Sequence, residues 1–189
     1  MELLIKTKRV RLSKSKRMRM NQPPKVTTEA VVRVGQPDDE DGVMVLARLI
    51  HKEIGMFNID EDKGLTQIRP ALRKEHGIVG VIGKKDNLEG FILLRVSTNW
   101  YSPKPFLEEM CVFVHPDYRN AVDSRVRKLL DFSKKCSDEL QMPLMIGVLS
   151  NQRTDAKVKF YQRTFGDPAG AFFIYGAKTG QSEEPDTRH

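Results

Sequence analysis

The stretch Glu108-Glu109-Met110-Cys111-Val112-Phe113-Val114-His115-Pro116-Asp117-Tyr118-Arg119-Asn120 decides how the chain is read. Its apolar run predicts a strand over 106–114. Pro116 is expected to end that strand, having no N–H for a ladder, and to stop any immediate helix. A polar loop with Arg119 follows, and the spacing of Val126, Leu129, Leu130 and Cys136 predicts a helix just behind it. Backbone N–H groups at such a helix start, with the positive end of its dipole, bind phosphate oxygens, and Arg119, Arg125 and Lys128 could add charge-assisted contacts. The same residues also fit a plain strand-to-helix connection with solvated basic side chains.

Working outward, 78–83 and 88–96 are two β runs around Lys84-Lys85-Asp86-Asn87, a composition suited to a tight reversal, so a hairpin is expected. Before it, 28–34 reads as a strand. Val43, Leu46, Ala47, Ile50 and Ile54 recur at helical spacing behind the acidic 38–41, which suits a helix N-terminus. A second helix is expected over 66–74, its start blurred by Gly64 and Pro70. Downstream, 144–149 reads as a short strand, 154–165 as a helix with Val158, Tyr161 and Phe165 in register, and 171–175 as a last strand. The order is β-α-α-β-β-β-α-β-α-β, an α/β (α+β) mixed antiparallel/parallel sheet with helices on both faces.

Charge divides the chain unevenly. The whole holds 32 Lys+Arg against 25 Asp+Glu, yet residues 1–25 alone carry nine basic side chains and one acid. The remainder, with 23 basic and 24 acidic groups, is a nearly neutral globule. Bulk charge therefore does not make the body a nucleic-acid-binding domain. The expected organisation is a basic arm over 1–25, one domain over 26–177 and a polar tail over 178–189. In the arm, Lys8-Arg9-Val10-Arg11-Leu12 and Arg17-Met18-Arg19-Met20 alternate with period two. That suits a strand added to a partner, a contact with nucleic acid or an acidic protein, or a solvated arm.

No stretch approaches the ~18 apolar residues that span a bilayer, and no secretory signal is visible, so no membrane contact and a cytoplasmic location are expected. Cys111 and Cys136 have neither metal-ligand spacing nor a disulfide-rich pattern, and are read as reduced thiols; no metal is expected.

Val112-x-Val114-x-Pro116-x-x-Arg119, then Val148-x-x-Asn151 followed by Phe160-Tyr161, and Glu89-Gly90-Phe91 in the hairpin, occur in the order found in the GNAT superfamily of acyl-CoA-dependent N-acetyltransferases, which the chain resembles from about Val31 to Tyr175. The residues 114–120 with Ala169-Gly170-Ala171-Phe172-Phe173 also resemble members carried by tailed bacteriophages. The resemblance implies transfer of acetyl from acetyl-CoA to a primary amine, on a small molecule or a protein, by direct attack. It implies that the main chain around Val112, Phe113 and Val114 holds the pantetheine arm, and that Arg119, Asn120, Ser124, Arg125 and Asn151 belong to the cofactor site.

Two side-chain roles follow. Glu108, read as sharing strand parity with Val112 and Val114, is the candidate base; it could equally be an ordinary strand-edge acid. Tyr161 matches the family's tyrosine that protonates the departing thiolate, and could instead simply pack on the sheet. His115 before Pro116 reads as a loop residue, and nothing in the sequence activates Cys111. The family's Arg/Gln-x-x-Gly-x-Gly/Ala loop is replaced here by Arg119-Asn120-Ala121-Val122-Asp123-Ser124, without either glycine and with an acid near the expected anion. The competing function is a non-catalytic GNAT-fold assembly protein, in a phage virion or on nucleic acid, that uses its basic arm; its location would be host cytoplasm or virion.

Overall fold

The computed structural model describes residues 30–119, 123–150 and 153–176. The basic arm and its expected contacts, the polar tail, Asn120 and Asn151 lie outside the described residues. Strand β1 (Val32–Val34) pairs antiparallel with β2 (Gly77–Lys84), β2 with β3 (Asn87–Asn99), and β3 with β4 (Ser102–Val114). The fifth strand, β5 (Leu144–Met145), runs parallel to β4 at the end of the sheet. The hairpin expected around Lys85-Asp86 is present. Its bulge falls at Gly83, whose φ of +104° is a conformation that side chains with a Cβ rarely adopt.

The sheet separates two apolar clusters. On one face, helices α1 (Glu40–Ile54) and α2 (Glu61–Leu72) bury Val43, Leu46, Ile68 and Leu72 against Val79, Val81, Phe91 and Phe113. On the other, α3 (Arg125–Leu140) buries Leu129 and Leu130 against Ile82, Ile92, Leu94 and Leu107, and the aromatic side of α4 (Thr154–Phe165) packs there too. Helices thus cover both faces, as the amphipathic spacing requires.

Four expectations change. Helix α2 starts earlier than the 66–74 read from sequence, because the Asp60 side chain accepts the N–H of Lys63 and caps it. Gly64 and Pro70 are inside the helix; Pro70 sits in its last turn, where the missing N–H costs one bond and the helix ends anyway. The strand expected over 144–149 stops at Met145, since beyond it the chain leaves β4 and has no ladder partner. The expected last strand over 171–175 is not formed: this segment pairs with nothing among the described residues, and Phe172 and Phe173 are 86% and 93% exposed. The order seen is β-α-α-β-β-β-α-β-α. Both cysteines are free thiols, Cys136 buried and Cys111 partly so.

Candidate functional site

Leu107 and Glu108 pair with Leu144 and Met145, and the main-chain N–H of Leu107 also donates to Pro143 at 2.8 Å. Past that point β4 and β5 diverge. From Glu109 to Val114, β4 is held by β3 on one edge, and no described strand pairs with the other. Backbone groups left like this within a sheet need partners, and an extended amide-bearing ligand supplies them as an added strand does.

Within the open length lies an irregularity that alternation does not reveal. Leu93 pairs with Cys111 but Leu94 with Glu109, so Met110 is an extra residue, a β-bulge. Leu107, Val112 and Val114 all face the α3–α4 cluster, although odd separations would put Leu107 on the opposite face in a regular strand. The bulge therefore corrects the parity argument for Glu108. Glu108 turns to the α1–α2 face, where the Arg95 guanidinium donates to it at 2.6 Å and also to Gln67 of α2 at 3.3 Å. Glu109 is the carboxylate on the side of Val112 and Val114.

Glu109 accepts the N–H of Gly147 at 3.4 Å, across the gap between the parted chains. Burial pushes its carboxyl up to about 7, with the Gly147 N–H opposing the shift. Tyr161 stands on the same face, its ring 5.8 Å from that of Phe165 and 6.1 Å from that of Phe160, packed in the α3–α4 cluster. Burial first, and then the charge of Glu109, push the Tyr161 hydroxyl up, so it stays protonated. Tyr161 thus packs in the cluster with its hydroxyl protonated and influenced by the charge of Glu109. Cys111 lies on the α1–α2 face with its thiol pushed up, mainly by burial and further by Glu109, the reverse of what a nucleophile needs.

At the wide end of the gap the expected basic residues are present but engaged. Arg119 donates through Nε to the carbonyl of Val114 at 2.8 Å, meets Glu53 of α1 at 2.8 Å, and lies over the Phe113 ring. Arg125, expected to face an anion, is instead buried, 5% exposed, and bonded to Glu89, with the Tyr118 ring against its guanidinium. Lys128 is taken by Asp123 and by the carbonyl of Ala30. Ser124 is the N-cap of α3 as expected, and its side chain makes no cap bond. His115 likewise caps a turn, accepting the N–H of Asp117. The structure thus brings Val112, Phe113, Val114 and Arg119 together, and sets Glu108 and Tyr161 on opposite faces of β4.

A cation missed in the sequence is Lys157 of α4. Its ammonium donates to the Ser150 hydroxyl at 2.6 Å, and desolvation, then the charge of Arg119, lowers its pKa. On the α1–α2 face a cavity of about 220 Å³ opens beside the bulge, lined by Thr66, Gln67, His76, Arg95 and Met110 among apolar neighbours. Only assembly of α2 on the sheet creates it, so no local sequence signal marks it. Among the described residues no group of His, Cys, Asp and Glu could hold a metal ion, and no helix is long and apolar enough to cross a membrane.

No family model matches the chain, and no curated protein matches it significantly. Solved structures do. A protein from Clostridium difficile 630 described as a possible acetyltransferase is similar with a TM-score of 0.57 at 18% identity, over 77% of this chain and 96% of that one. The aminoglycoside acetyltransferase AAC(6')-Iy, bound to a bisubstrate analogue of CoA and acetylneamine, is similar with a TM-score of 0.61 at 14% identity, over 78% and 97%. A ribosomal-protein-alanine N-acetyltransferase from Brucella melitensis biovar Abortus 2308 gives 0.57 at 12% identity, over 77% and 97%. The mixed sheet and its four helices are the fold of GNAT acetyltransferases. The resemblance to bacteriophage-carried members has no counterpart among these neighbours.

Proposed function

We propose that the chain is an acetyl-CoA-dependent N-acetyltransferase acting on a primary amine. The observation that carries this is the parting of β4 from β5 just past the Glu108–Met145 pair, with the Met110 bulge in the open length of β4. An open strand edge accepts the pantetheine amides, with the main chain of Val112, Phe113 and Val114 as its partner. A bulge frees backbone N–H groups from the ladder, and one aimed at a thioester carbonyl stabilises the oxyanion formed on attack.

The α3 N-terminus behind Ser124 takes the pyrophosphate, and the family resemblance assigns Asn120 and Asn151 to the same cofactor. Arg119 adds charge there once Glu53 yields to the phosphate. Arg125 supports this site through its bond to Glu89 rather than by touching the anion. Glu108, held by Arg95 on the face of the cavity, takes the proton of the amine, directly or through water. Tyr161, on the opposite face, gives its proton to the leaving thiolate.

Titration calorimetry with acetyl-CoA is the direct test. Heat of binding at micromolar to millimolar ligand is expected; none at ~1 mM, an affinity worth only about 4 kcal/mol, overturns the enzyme reading. The glycine-free loop and the paired state of Arg119, Arg125 and Lys128 favour a second reading, a GNAT-fold assembly protein without cofactor, and the same titration separates the two.

A further inference from the structure

Building on the acetyltransferase reading, we propose that the acceptor is a small primary amine carrying a carboxylate, bound in the cavity beside the Met110 bulge with Arg95 as the carboxylate's anchor. The cavity lies on the face of β4 away from Tyr161 and next to Glu108, so an amine seated in it approaches the bulge from the side opposite the leaving group. Its volume of about 220 Å³ falls below the ~300–1,000 Å³ of pockets for drug-sized ligands, which suits a single small molecule.

Its polar lining has a definite sign. Arg95 is the charged side chain there, with Gln67, Thr66 and His76 as the other polar groups, and no carboxylate lines the cavity. A polycation seated there would meet a guanidinium and a single nearby carboxylate, Glu108, already bonded to that guanidinium. A zwitterion meets complementary groups. The Arg95 fork gives one N–H to Gln67 and another to Glu108, and its other donors match a carboxylate. The ammonium end finds Glu108, beside the guanidinium that holds it.

The chemistry balances on these residues. The ammonium loses a proton to Glu108, the amine nitrogen forms the N–C bond at the acetyl carbonyl, and the C–S bond breaks. The thiolate then takes the Tyr161 proton to leave as CoA thiol, and the second proton on nitrogen, shed as the product becomes a neutral amide, returns through water to the Tyr161 phenolate.

Thiol release from acetyl-CoA is measured with two matched pairs, L-leucine against 3-methylbutylamine and L-lysine against cadaverine, and with sisomicin as a polycation. The carboxylated member of at least one pair is expected to have the higher kcat/KM by about tenfold, the worth of one charge-assisted hydrogen bond of about 1.5 kcal/mol. Arg95→Gln is expected to bring that ratio close to one, and Arg95→Lys, which keeps charge but not the fork, to lower it several-fold. A role of Arg95 confined to holding Glu108 would slow both members alike and leave the ratio unchanged, overturning the inference. Preference for the decarboxylated amines or sisomicin also overturns it while upholding acetyl transfer. No thiol release with any amine, together with no acetyl-CoA binding, overturns the proposed function and the inference with it.

Discussion

Glu109 of β4 accepts the N–H of Gly147 at 3.4 Å, so a side chain bridges two chains whose backbones have parted. The bridge lies just past the last ladder pair of β4 with β5, where the two strands part. It also places an ionisable group, pushed up to about 7 by burial, where its charge raises the pKa of the Tyr161 hydroxyl.

Stability is expected to fall as pH rises from about 4.5 to about 7. The folded Glu109 carboxyl holds its proton up to about 7, whereas in the unfolded chain it ionises near 4.5. The native state therefore binds more protons across that window, and raising the pH favours unfolding. Glu109→Gln removes this slope. Thermal melts at pH 8 should place the variant a few degrees above the native protein, since ~1 kcal/mol shifts Tm by about 2–4 °C in a domain this size, while at pH 4 the two coincide.

Tyr161→Phe keeps the ring packing against Phe160 and Phe165 and loses only the hydroxyl. The rate of thiol release is expected to drop by about 10²-fold or more, with acetyl-CoA affinity unchanged in calorimetry. An unaltered rate removes Tyr161 from its role as acid.

Glu108→Gln preserves the side-chain volume beside Arg95 and removes the base. A fall in kcat of about 10²–10⁴-fold is expected at neutral pH. The same substitution at Glu109 should leave a far smaller defect, because that side chain lies on the face away from the cavity. The opposite ranking would assign the base to Glu109.

Arg125 distinguishes support from ligand contact. Its guanidinium is buried against Glu89, and removing one member of a buried pair leaves an uncompensated charge costing about 3–5 kcal/mol. Arg125→Ala should therefore lower Tm by roughly 10 °C. The double variant Arg125→Leu with Glu89→Leu should recover much of that loss, which a residue kept for phosphate would not do.

Much of this architecture can be read from apolar spacing. Val43, Leu46, Ala47 and Ile50 give α1 its buried side, and the runs flanking Lys85-Asp86 give the hairpin, because these patterns depend only on neighbours in sequence. What could not be read depends on distant partners. Residues 171–175 are apolar enough for a strand, yet a strand needs an edge to join. Met110 looks like any strand residue; its bulge appears only when β4 is laid against β3, and from it comes the exchange of faces between Glu108 and Glu109. The locations of Val112, Val114 and Tyr161 followed from pattern. The engagement of Arg119 by Glu53 and of Arg125 by Glu89 did not, since each pair joins residues far apart in sequence.

The two-residue contact between β4 and β5 has a kinetic meaning of its own. Strands β2, β3 and β4 are long and sandwiched between both apolar clusters, so those of their amides that are bonded in the β2–β3 and β3–β4 ladders should exchange with solvent only through global unfolding. Residues 144–149, tethered by a minimal ladder, should open and close many times for each such event. The margin of the sheet is thus the soft part of a stiff molecule, and a molecule wedged between β4 and β5 would be registered first as a slowing of deuterium uptake there.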